Sequence, residues 1–135
     1  MNTIAQYCTL ITLTCLSFAS ISAPPNPSPW QKAKLQGASY RAIGQEPAWQ
    51  LEVYHKQKLI LVTNYGEKRT VFTQLEIISS PEKKQTRISA LNPYPITVQI
   101  KGEKCVDTMS GQEYSSTTKV ISHSNTFKGC GKALH

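Results

Sequence analysis

Few groups in this sequence of 135 residues have the type and spacing to do chemistry, and the cysteines come first. Cys8 and Cys15 lie in an uncharged, Thr-rich N-terminal stretch, while Cys105 and Cys130 lie in the C-terminal third. Thiol redox catalysis would use a close C-x-x-C pair with a lowered thiol pKa, and the chain has none. If the N-terminal stretch is removed during secretion, Cys105 and Cys130 remain as one pair in an oxidising compartment. They are then expected to form a disulfide closing a loop of about 25 residues, which stabilises a small domain by roughly 3–4 kcal/mol. A metal would have to use Cys105, Asp107 and Cys130 with His123 or His135. The paired close spacing of a zinc site is missing, so neither a metal nor another cofactor is assigned.

Between the two half-cystines runs Asp107-Thr108-Met109-Ser110-Gly111, followed by Tyr114. A carboxylate with hydroxyls one and three residues on can bond neighbouring backbone amides and hold a turn, and the same groups could form a small anion- or peptide-recognition loop. Ser110, His123 and Asp107 are the residue types of a nucleophilic triad. They lack a nucleophile elbow such as G-x-S-x-G, so the chain is not read as an enzyme. A second unusual segment is Gly44-Gln45-Glu46-Pro47-Ala48-Trp49, a bend feeding a strand. Trp49 leads into Leu51 and Val53 and is expected to plug the core; Glu46, if buried among specific donors, would be a site residue. In Gly129-Cys130-Gly131 the glycines allow close backbone approach around the half-cystine.

These groups need elements to position them. Residues 1–31 carry no charged side chain, and the apolar run Leu10–Phe18 is followed by the small residues of ASISA. This is the layout of a secretory signal, with cleavage expected after Ser22, although no Lys or Arg precedes the apolar run. The rival reading is an uncleaved membrane anchor, against which the six Thr and Ser residues from Thr9 to Ser22 count. All 15 Lys and Arg and all eight Asp and Glu lie beyond Ala23, so the exported domain keeps the formal net charge of +7. Such a protein is drawn to anionic envelope surfaces. The lysines are scattered along the chain, which favours the plainer role of keeping the protein soluble and blocking sheet edges.

The expected organisation is a signal at 1–22, a Pro-rich extended linker at 23–38 and a single β domain at 39–135. Leu51 and Val53 alternate with Gln50 and Glu52. Val71, Thr73, Leu75 and Ile77 alternate with Phe72, Gln74 and Glu76, and Ile96, Val98 and Ile100 alternate with Thr97, Gln99 and Lys101. Each reads as a strand with one face on a core. Leu59–Val62 is a short buried run, and 86–91 and 115–121 are weaker strands. Turn signals fall at 55–57, 64–66, 79–81, 92–95 and 122–125, with a short helical turn around 106–110. About seven or eight short strands with no long amphipathic helix predict a mainly β protein, a small antiparallel barrel or tight sandwich with one disulfide.

Three ordered motifs carry a resemblance: Gly44, Glu46, Pro47 and Trp49; then Cys105, Asp107, Met109, Ser110, Gly111 and Tyr114; then Gly129, Cys130, Gly131, Ala133 and Leu134. Together they resemble a family of bacterial envelope proteins and lipoproteins, distantly similar to the META-domain heat-shock lipoproteins. The resemblance implies a small β domain, periplasmic, secreted or membrane-attached, and supplies no catalytic residue. The leading expectation is therefore a non-enzymatic envelope module, structural or binding, with an envelope protein or anionic surface as partner. The alternative is an inhibitor of a wall-degrading hydrolase, because Ser110-Gly111-x-x-Tyr114 is similar to the loop of c-type lysozyme inhibitors. A charge of +7 would repel a basic lysozyme. A third reading places basic side chains beside Tyr54, Tyr65, Phe72 and Tyr94, as in oligonucleotide- or oligosaccharide-binding barrels. Aromatic residues make up only 8% of the chain, which argues against nucleic acid.

Overall fold

A computed structural model describes residues 19–135 apart from Lys56 and Ser124; Cys8, Cys15 and most of the expected signal lie outside the described residues. Among the described residues no helix is long and apolar enough to cross a membrane. The chain forms α1 (Pro29–Leu35), then β1 (Tyr40–Gly44), β2 (Trp49–Tyr54), β3 (Lys58–Thr63), β4 (Lys68–Thr73), β5 (Glu76–Ser80), β6 (Gln85–Ala90) and β7 (Ile96–Lys101). It continues through β8 (Cys105–Val106), β9 (Glu113–Tyr114), β10 (Ser116–Ser122) and β11 (Asn125–Ala133).

Nine strands make one antiparallel sheet in the order β4-β3-β2-β1-β11-β10-β7-β6-β5, curled into a half-barrel, and β8 and β9 pair as a separate hairpin. The expected seven or eight strands become eleven among the described residues. The sheet is not a sandwich, and it stops short of a complete barrel because β4 and β5 remain its two edges. Those edges meet at one corner, where Gln74 and Leu75 join β4 to β5 and a single bridge links Thr73 to Asn92. Tyr94 fastens that corner: its ring meets Phe72 edge-on at 5.0 Å and its hydroxyl donates to Thr70 Oγ1 at 3.3 Å.

The inner face carries the core, with Leu51, Leu59, Phe72, Val98 and Val120 fully buried. One expected face is reversed. Phe72 points inward from β4 and Val71 outward, whereas Ile77 does face the core from β5. The alternation resets at Gln74, which adopts φ 56 between the two strands, so a single period cannot run through both.

The expected extended linker is also corrected, because residues 29–35 are helical. Ser28 accepts from the Gln31 amide at 3.2 Å while the Gln31 side chain accepts from the Ser28 amide at 2.9 Å, with Pro29 at the first helical position. This capping box was legible in the sequence as S-P-W-Q. The helix lays Trp30 and Ala33 on the outer face of the sheet, against Ala38, Tyr54, Ile60, Val62 and Leu134. Among the described residues, no helix lies on the other half of that outer face, over β10, β7, β6 and β5.

Candidate functional site

The site begins at the hairpin. Cys105 and Cys130 are disulfide-bonded with Cα atoms 5.5 Å apart, which fixes β8 to the middle of β11 and removes both sulfurs as metal ligands. Among the described residues no three His, Cys, Asp or Glu side chains come together as a metal site. Asp107 then builds the turn between β8 and β9. Its Oδ2 accepts from the Ser110 amide at 3.1 Å and the Ser110 hydroxyl at 2.6 Å, and its carbonyl accepts from the Gly111 amide at 2.8 Å. That last bond is the expected single turn of helix, with Gly111 at φ 71 ending it.

Asp107, Ser110 and Gly111 therefore satisfy one another. The Ser110 hydroxyl holds the Asp107 carboxyl below its ordinary range, with burial opposing and the Ser110 and Met109 amides adding to the lowering. A folded-state pKa below the unfolded value contributes stability that is present above about pH 4 and lost as pH falls through the lowered value. Ser110→Ala is expected to raise the Asp107 pKa toward the ordinary value and bring forward acid loosening of the hairpin. An NMR titration of the Asp107 carboxyl carbon checks this, and an unmoved titration would show that the hydroxyl is not the cause.

Tyr114 is 6% exposed, and its ring stacks on Trp30 at 5.0 Å. Arg41 and Lys132 flank the same indole at 5.3 and 5.2 Å, and Arg41 pairs with Glu52 and donates to Gln50 Oε1 at 2.9 Å. The Tyr114 ring is thus turned into the fold, and the turn offers Thr108 and an exposed Met109 to solvent. The triad residues are not assembled. Ser110 donates directly to Asp107, whereas His123 meets the Tyr94 ring at a tilt, 4.5 Å between centroids, beyond the end of β10 remote from the hairpin, about 17 Å along the strand.

Glu46 and Trp49 separate as well. Glu46 is exposed in its turn at φ 57, so it is not a buried carboxylate among donors. Trp49 is buried; its indole N–H donates to the Lys128 carbonyl at 3.3 Å, and a Cβ on Gly44 would overlap the ring. The motif glycines have the same origin, since a Cβ at Gly129 would overlap the Ile43 carbonyl and one at Gly131 the Tyr40 hydroxyl.

What sequence reasoning missed is the uncovered half of the outer face. A groove of about 840 Å³ lies there, walled by Val106 and Asp107 of the hairpin and reaching Ile78 on β5. Its lining includes Lys83, Arg87, Lys101, Lys119 and Lys128, against two carboxylates, Glu103 and Asp107. Glu103 is taken by Lys101 at 3.2 Å and by the Thr117 hydroxyl at 2.9 Å, and Asp107 by Ser110. Among the described residues, Lys83, Arg87, Lys119 and Lys128 are in no ion pair. Register gathers them: Lys119 stands directly opposite Lys128, and through Gln99 it shares a row with Arg87. The sequence signal was the alternation of strand cations with core residues, as in Thr118-Lys119-Val120, but separations in sequence hide which cations become neighbours. No protein-family model, curated protein or solved structure matches this chain.

Proposed function

We propose that this protein is an exported, non-enzymatic binding module of the cell envelope, and that the basic groove holds an anionic envelope polymer. The observation carrying the proposal is the placement of Lys119 opposite Lys128 in a groove that Arg87 and Lys83 also line, none of the four being in an ion pair among the described residues. Like charges directly opposed across a strand pair destabilise a sheet by roughly 0.2–1 kcal/mol. Solubility or edge protection would not need them paired. β10 and β11 are central strands, so the lysines block no edge. A polyanion removes the repulsion and releases its own counterions. The disulfide suits an oxidising compartment, and the hairpin it fixes forms one wall of the groove.

The test is binding of inorganic polyphosphate across a salt series. With four cations engaged, affinity is expected to fall about 50-fold between 50 and 200 mM salt. Lys119→Thr should weaken binding and flatten that dependence while raising the unfolding free energy by about 0.5 kcal/mol. Binding that ignores both salt and Lys119 would sink the proposal.

A further inference from the structure

A second hollow of about 380 Å³ opens beside the basic groove, and the two share Gly44 and Gln45 in their walls. Its chemistry is different. None of its lining residues is charged; they include Tyr65, Ala48, Trp49, Gln45 and Gln50, the last with its Oε1 accepting from Arg41. Of the four aromatic residues that could have formed a platform, Tyr54 and Phe72 are buried and Tyr94 fastens the corner, leaving Tyr65 at 76% exposure. Its placement is held against preference. Asn64 and Tyr65 take φ 54 and 55 in succession, and a bulky residue in the left-handed region costs free energy that a surface turn could avoid with glycine or asparagine.

From this juxtaposition we infer that the ligand is an acidic glycan: a sugar ring rests on Tyr65 beside the Gln45 and Gln50 side chains, and the chain crosses Gly44–Gln45 to set negative groups among Lys128, Lys119 and Arg87. The inference rests on the proposed anion-binding groove and adds the sugar. An exposed ring offers a face to the C–H groups of a pyranose, carboxamides both donate to and accept from hydroxyls, and lysines neutralise charge. Hollow and groove together reach from β3 to β5, eight strands and about 34 Å along the curl, so the ligand is a chain rather than a monosaccharide.

Five probes separate the chemistries: polygalacturonate, a phosphomannan, inorganic polyphosphate, uncharged dextran and oligo-thymidylate, each titrated against the protein purified as its host processes it. The acidic glycans are expected to bind more tightly than polyphosphate or dextran. Whichever of polygalacturonate and phosphomannan binds more tightly identifies carboxylate or phosphodiester as the anionic group. Tyr65→Asn removes the ring while suiting the left-handed backbone. It should lower acidic-glycan affinity about tenfold and leave polyphosphate binding unchanged, with Tyr65→Phe retaining affinity. Gln45→Ala tests the same hollow without touching the turn and should also weaken glycan binding alone. Equal glycan binding in Tyr65→Asn and Gln45→Ala, with polyphosphate still held by Lys119, overturns the sugar site and leaves the anion groove standing. Failure of every anion to bind overturns both. Oligo-thymidylate bound as tightly, with the same need for Tyr65, would make the track a single-strand nucleic-acid site instead.

Discussion

Replacing Cys105 and Cys130 together with alanine is expected to lower the unfolding free energy by about 3.5 kcal/mol. The bond spans 25 residues, and opening it returns to the unfolded chain the conformational freedom that the loop had removed. The loss should be local as well as global. The hairpin has only two residues in each strand, too few to stay paired alone, and without the bond it rests on the stack of Tyr114 on Trp30 and on its contacts with β11. Urea unfolding of the double variant should therefore show a lower midpoint, and the near-ultraviolet signal of Trp30 should weaken before the sheet melts. One wall of the groove would go with the hairpin, so polyphosphate affinity should fall even where the sheet stays folded. An unchanged midpoint would mean that the Tyr114 and Asp107 contacts hold the hairpin without the covalent bond.

Gly129→Ala should cost about 3 kcal/mol or abolish folding, although its backbone conformation suits alanine. The obstacle is steric. β1 and β11 lie side by side in the sheet centre, and a Cβ on Gly129 would overlap the Ile43 carbonyl, a backbone atom held in register on both sides. Gly37 provides the contrasting case. It sits at φ 93 after α1 with no atom within 4 Å of an added Cβ, so Gly37→Ala should cost only about 1 kcal/mol, all of it conformational. Thermal melts of the two variants side by side distinguish close approach from backbone strain. Equal losses would show that β1 can shift away from β11.

Much of the fold was legible because it rests on local chemistry. Period-two alternation located β2 and β7, and Asn, Pro and Ser clusters located the turns. The strands that escaped were the two-residue β8 and β9 and the central pair, β1 and β11. The sequences of the central pair, YRAIG and NTFKGCGKA, carry glycine where β-propensity would ask for a branched side chain. Those glycines are present because neighbouring strands and the Tyr40 hydroxyl occupy the space of a side chain, which is knowledge of partners rather than of sequence. The Asp107 turn could be read from its spacing, since its bonds span three or four residues. That Tyr114 faces inward could not, because the partner that buries it is Trp30, 84 positions earlier in the chain.

The sequence by itself determined a mainly β protein, with Cys105 and Cys130 as the pair available for a disulfide, an Asp107–Gly111 turn and a net positive charge on the domain beyond Ala23. Each follows from composition or from contacts a few residues apart. Only the tertiary structure decided where that charge acts. Strand order brings together Lys83, Arg87, Lys119 and Lys128 from the turn before β6, β6, β10 and β11, on the half of the outer face that α1 does not occupy. Charges at such separations become neighbours only through hydrogen-bonded register, and register is fixed by burying Val120, Val98 and Ile88 on the opposite face.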